Sequence, residues 1–171
     1  PEGMGIGLRG ISLSTCGLTD EIKKLSEEGL GITLSISLHA ASDEKRLKIM
    51  PTAEKYKIAE ILDAARTYFL KTGRRIIIEY AVIDGFNDTK NDARMLKEIL
   101  TGMNCHVNLI PLNGNDGITL KAPCRRKVYA FCNMLEKEGL SATVRKSMGS
   151  DIAGACGQLR QQYVGKNGDR T

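Results

Sequence analysis

Apolar and polar positions alternate with a period of two in several short runs, and with a helical period in the longer stretches between them. In 32–39, Leu34, Ile36 and Leu38 fall on one face, and Thr33, Ser35, Ser37 and His39 on the other. In 10–16, Ile11 and Leu13 oppose Ser12 and Ser14. Runs at 74–83, 106–111 and 141–145 extend the predicted strands, the first of them rich in β-branched residues. Between strands, 19–28 reads as a helix with Thr19 as N-cap and Gly29 as stop. Ile58, Ile61, Leu62, Ala65 and Phe69 form an apolar stripe at helical spacing. Thr89 opens a helix carrying Ala93, Leu96 and Leu100, and Val128, Phe131, Cys132 and Leu135 mark another. The repeated strand–helix order predicts parallel strands joined by right-handed crossovers, in a barrel or a doubly wound sheet.

A parallel strand covered by helices on both sides is apolar on both faces. Here one face carries small hydroxyls on two successive strands. Glu79 adds a carboxylate on the third, and Asn108 and Asn113 bring amides at and after the fourth. This suggests a barrel wall covered by helices outside and facing a polar ligand inside. Closed eight-stranded barrels fill their interior with branched apolar side chains, whereas small polar ones leave room and offer hydrogen bonds. An antiparallel sheet with one wet face is the alternative, and the intervening helices count against it. Ser14, Ser37, His39 and Asn113 lie at or just past C-terminal strand ends, where such folds place their ligands. Taken singly, His39 reads as a satisfied structural histidine and Asn113 as a turn residue before Gly114; their shared location is the signal.

Composition sets bounds. The 171 residues suffice for one domain with a sizeable core. Lys plus Arg total 25 against 20 Asp plus Glu, a net charge of +5 that is compatible with a nucleic-acid partner. Basic residues gather late, from Lys121, Arg125, Arg126 and Lys127 to Arg145, Lys146, Arg160, Lys166 and Arg170. No apolar run approaches membrane-spanning length and no signal peptide is visible, so a cytoplasmic protein with no membrane partner is expected. Pro1 follows no initiator methionine, which reads as a fragment or a processed form. The five cysteines are widely spaced and odd in number, as in a reducing compartment rather than a disulfide framework. They form no C-x-x-C pair, and His39 and His106 lack ligand spacing, so no metal site made by this chain alone is expected. Cys156 sits between small residues in Gly154-Ala155-Cys156-Gly157, which permit close approach of another molecule. Read locally, it is a small buried cysteine.

An ordered set of motifs changes that reading. Ser14-Thr15-Cys16-Gly17, Ser37-Leu38-His39-Ala40, Met50-Pro51, Glu79-Tyr80, Val107-Asn108-Leu109-Ile110-Pro111, Asp151-Ile152 and Gly154-Ala155-Cys156-Gly157-Gln158-Leu159 follow one another. Over nearly its whole length the chain resembles the C-terminal portion of the radical S-adenosylmethionine RNA methyltransferases of the RlmN/Cfr family. The resemblance implies an α/β fold: a partial (β/α) barrel of radical SAM type, its C-terminal half plus a C-terminal extension. Within 1–171 it implies strand–helix repeats over about 10–140, a C-terminal strand and methyl-carrier segment over about 141–164, and a tail at 165–171. By position it implies S-adenosylmethionine contacts at Ser14, Ser37, Leu38, His39 and Asn113. It assigns Cys156 the catalytic role of accepting a methyl group and carrying it to the base.

The cofactors so implied are S-adenosylmethionine and, in the full-length protein, a 4Fe-4S cluster served by a reducing electron donor. The implied substrates are large-subunit rRNA and tRNA, and a disulfide bond is among the family's features. The chemistry explains the cysteine. An adenine C–H carbon is a poor nucleophile toward a sulfonium methyl. The family route places the methyl on cysteine, abstracts a hydrogen from it with a radical made from a second S-adenosylmethionine, and adds the carbon radical to the ring. The family's three-cysteine cluster motif, its Gly-Glu motif and the cysteine that resolves the protein–RNA adduct precede Pro1 in the family's order, so the chain alone is expected to be inactive. Cys16 stands where many members have serine, and Asn113-Gly114 where many have Asn-Pro. Adenine-C2 methylation, the RlmN branch, leads; the C8 chemistry of the Cfr branch is the near alternative. A non-catalytic RNA-binding fragment is another, as is an aldolase-like barrel, which predicts a lysine that 10–16, 32–39 and 106–111 lack.

Overall fold

The structure is a computed structural model that describes residues 5–112 and 120–145. Five strands, β1 (Ser12–Thr15), β2 (Thr33–Ser37), β3 (Ile76–Val82), β4 (Cys105–Pro111) and β5 (Ala142–Val144), pair in chain order, every neighbour parallel. A doubly wound sheet would reverse its strand order at a switch point; among the described strands there is no reversal. Crossovers of one hand in such an order lay every helix on the same face, as in a barrel wall.

The helices are α1 (Thr19–Glu27), α2 (Asp43–Ile49), α3 (Ile58–Thr72), α4 (Lys90–Leu100) and α5 (Arg125–Lys137). α1 packs on α3, α3 on α4, and α4 on α5. The apolar face of the strands meets them: Leu34, Ile36, Ile76, Ile78, Tyr80, Val82, Val107 and Leu109 share one core with Ile61, Leu62, Tyr68, Leu96, Phe131 and Leu135. The buried Tyr68 hydroxyl donates to the carbonyls of Leu30 and Ile32, at 3.2 and 3.0 Å. The ring of Tyr80 lies 5.6 Å from that of Phe131. Gly17, between β1 and α1, has φ +96°, and a Cβ there would sit 2.5 Å from Ile61 Cδ1. Both the backbone angle and the contact with α3 require glycine.

Several local expectations hold and others shift. Thr89 caps α4 by a reciprocal pair: its Oγ accepts from the Asp92 N–H at 3.2 Å, and the Asp92 carboxylate accepts from the Thr89 N–H at 3.1 Å. Gly29, at φ +61°, follows α1 as its stop. Thr19, in contrast, is not an N-cap: Leu18 holds that position, and Thr19 is the first helical residue, buried. β1 and β2 are shorter than the runs 10–16 and 32–39, and β2 ends before His39, whose positive φ leaves the strand conformation. α2 has no apolar stripe to announce it. It is short, mostly charged, capped by Ser42 Oγ accepting from the Lys45 N–H at 3.3 Å, and its buried residue is a cation, Arg46.

Candidate functional site

The face of the sheet away from the helices carries polar side chains from all five strands. Ser12 and Ser35 share a hydroxyl contact of 3.1 Å. At the other side, the His106 ring nitrogens bond the hydroxyls of Ser141 and Thr143, at 2.9 and 2.8 Å. Between them the register sets Ser37 beside Glu79, and Glu79 beside Asn108. Ser14 Oγ donates to Glu79 Oε2 at 3.0 Å, and Ser37 Oγ donates to the same oxygen at 3.1 Å. A hydroxyl has one proton to give, so each serine then turns only lone pairs outward.

The chain leaves β2 through Leu38 and His39, whose N–H groups both donate to the Glu79 carbonyl, at 3.0 and 3.3 Å. Leu38 is 0 % exposed, its side chain in the core, so a ligand on the polar face does not meet that side chain. His39 has φ +62°, a left-handed conformation that costs a non-glycine residue about 1 kcal/mol or more. Asn87 holds it there. This fully buried amide donates from Nδ2 to the carbonyls of His39 and Ala81, at 2.8 and 2.7 Å, and accepts from the Ile83 N–H at 2.8 Å. The Tyr80 hydroxyl in turn donates to the Asn87 carbonyl at 2.8 Å.

His39 Nδ1 accepts from the Ala81 N–H at 3.0 Å, so the neutral ring carries its proton on Nε2. Burial holds the imidazole below its usual value, with Glu79 opposing and Arg46 reinforcing the shift. The neutral form is therefore favoured by folding. The stabilisation is complete above the ordinary histidine value near 6.5 and is lost as pH falls through the lower folded value. Urea midpoints should accordingly fall between pH 7.5 and pH 5 by more in the parent chain than in a His39→Asn variant, whose residue tolerates the left-handed angle. Equal falls would show that His39 does not contribute.

Arg46 braces the neighbouring turn. Its guanidinium, fully buried, donates to the Cys16 carbonyl at 2.6 Å and to the Tyr56 carbonyl at 3.0 Å, and burial lowers its proton affinity. The backbone at Cys16 is thereby fixed to α2.

Of the residues singled out in the sequence, the structure brings Ser14, Ser37, Leu38 and His39 to one end of the sheet. Asn113 and Cys156 lie outside the described residues. Asn87 and Arg46 were missed: the Gly85-Phe86-Asn87-Asp88 run reads only as a turn, and a cation is not expected in a core. No group of His, Cys, Asp and Glu among the described residues could hold a metal ion, so these residues do not fit an iron–sulfur cluster. The disulfide implied by the resemblance is not formed among them either, since Cys16, Cys105, Cys124 and Cys132 are free thiols. No described helix is long and apolar enough to cross a membrane.

No family model matches the chain. A probable dual-specificity RNA methyltransferase RlmN of Clostridium perfringens is 52% identical over 166 residues, 97% of this chain and 48% of the relative. The protein of the same name from Clostridioides difficile is 49% identical over 162 residues, 95% and 47% of the two chains. The chain thus spans about half the length of the curated relatives it matches. Among solved structures, a radical SAM methyltransferase from Sphaerobacter thermophilus superposes with a TM-score of 0.87 at 43% identity, over 92% of this chain and 46% of that one. A domain of pyruvate-formate lyase-activating enzyme from Bacteroides vulgatus shares the fold alone, with a TM-score of 0.55 at 16% identity over 80% of this chain and 100% of that domain. Sequence and fold agree: the chain belongs to the radical S-adenosylmethionine methyltransferase family, aligned with about half the length of its RlmN-type members.

Proposed function

We propose that this chain forms one wall of the S-adenosylmethionine site of an RNA methyltransferase and supplies the cysteine that carries the methyl group. The observation that supports this most directly is the polar end of the sheet, where Ser14 and Ser37 converge on the Glu79 carboxylate and the Leu38-His39 backbone on the Glu79 carbonyl. S-adenosylmethionine is a sulfonium with an ammonium group and two ribose hydroxyls, and a wall of outward lone pairs beside a carboxylate suits such a ligand. Asn113, which follows β4, completes the proposed contacts. When bound, S-adenosylmethionine supplies an electrophilic methyl group. Cys156 is its acceptor, a thiol being the strongest nucleophile a protein side chain offers near neutral pH.

The substrate in this reading is adenine, methylated at C2 in large-subunit rRNA and tRNA of the cytoplasm; the name shared by the relatives supports the RlmN branch over C8 chemistry. A 4Fe-4S cluster and its electron donor belong to the reading and lie outside what these residues hold. The chain acts as one unit, its strand–helix repeats building the wall and the segment through Cys156 delivering the methyl. The test is peptide mass spectrometry on the full-length protein purified from cells. A single added methyl on Cys156 is expected, and an unmodified thiol in cluster-loaded protein would overturn the carrier role.

A further inference from the structure

Every described residue proposed to contact the cofactor is hydrogen-bonded to one other residue, Glu79. Its carboxylate oxygen Oε2 accepts from Ser14 Oγ at 3.0 Å and from Ser37 Oγ at 3.1 Å. Its backbone carbonyl accepts from the N–H groups of Leu38 and His39, at 3.0 and 3.3 Å. Glu79 sits on the central strand, and its side chain reaches past β2 to a serine on β1. The two hydroxyls would otherwise rotate freely and could donate as readily as accept. With both protons committed to one carboxylate oxygen, they can only accept.

From this we infer that Glu79 is a positioning residue for cofactor binding: through Ser14 and Ser37 it fixes an acceptor-only patch, so that the part of S-adenosylmethionine seated there must present O–H or N–H protons. The inference rests on the proposed cofactor wall and goes beyond it. It assigns a role to a residue that makes no proposed contact of its own, and a polarity to the group it helps select. The backbone half of the arrangement survives any change of the Glu79 side chain, so substitutions read the serine half alone.

The test is calorimetric titration of S-adenosylmethionine into the full-length, cluster-loaded protein. Glu79→Gln keeps an amide oxygen at the same reach and should weaken binding less than about threefold. Glu79→Asp keeps the charge but withdraws the oxygen by one methylene, and should weaken binding about tenfold or more, the effect expected when hydrogen bonds to a charged group are lost. The opposite ranking, with Asp tolerated and Gln not, would mean that charge rather than hydroxyl orientation matters, and would overturn the inference. A double-mutant cycle supplies the second readout. In a Ser14→Ala/Ser37→Ala background the Glu79→Asp penalty should shrink below about twofold, because no hydroxyl is left to orient. An undiminished penalty would place Glu79 in a separate role. If the serine double variant itself binds S-adenosylmethionine normally, the cofactor wall is wrong. If that variant binds weakly while Glu79→Asp binds normally, only the role of Glu79 falls.

Discussion

Replacing Cys156 with alanine should abolish methyl transfer to RNA by the full-length protein while leaving S-adenosylmethionine affinity within about twofold. The expected loss of turnover is on the order of a thousand-fold or more, as for removal of a covalent nucleophile. The split between binding and turnover is the informative part. The proposed wall is built by strand ends, and Cys156 comes later in the chain than any of them. Binding is therefore assigned to one group of residues and methyl capture to another. Transcripts incubated with the variant and labelled cofactor should gain no label at adenine. Retained activity would remove Cys156 from the chemistry, and lost affinity would make it part of the wall instead.

Asn87→Ala should cost more stability than any other single change on the polar side of the sheet. The alanine leaves two carbonyls, of His39 and Ala81, and the N–H of Ile83 without their partner in a region closed to water. Each buried group left unsatisfied costs about 1–3 kcal/mol, so a fall of about 3 kcal/mol or more in unfolding free energy is expected from urea titration. The same change frees His39 from its left-handed angle, so cofactor affinity in the full-length protein should fall with it. Asn87→Asp restores the acceptor for Ile83 but faces two carbonyls with no donor, and should not rescue. A variant as stable as the parent would show that the clamp is not what holds His39.

Much of this was legible in the sequence, and the reason is periodicity. The alternation Thr33-Leu34-Ser35-Ile36-Ser37 states both that a strand is present and which side the helices cover. The parallel order followed from the helical stripes between strands. What the sequence hid has a common physical cause: its signals are not periodic. Helix α2 turns inward a guanidinium bonded to carbonyls rather than an apolar stripe. The left-handed angle of His39 depends on Asn87, 48 positions along the chain, and no local propensity encodes it. Glu79 was noticeable as a carboxylate on an apolar strand, but its four bonds to the rim appear only when β1, β2 and β3 are laid side by side. Strand-end placement singles out Ser14, Ser37 and His39 as candidates, and family resemblance singles out Leu38. Only the structure shows that the Leu38 side chain lies in the core.

The strand order carries one more consequence. Because the sheet order is the chain order, each strand–helix unit docks on the unit made just before it. A chain emerging from the ribosome can thus add one unit at a time, and none of the described strands waits for its described partner from far downstream. Loop closures stay short and the search for contacts stays local, which favours fast assembly and limits the time that unpaired edges spend in solution. On this account Glu79 is also a timing mark: when β3 docks, it locks the serines of the two strands already in place, before β4 and β5 need to pair.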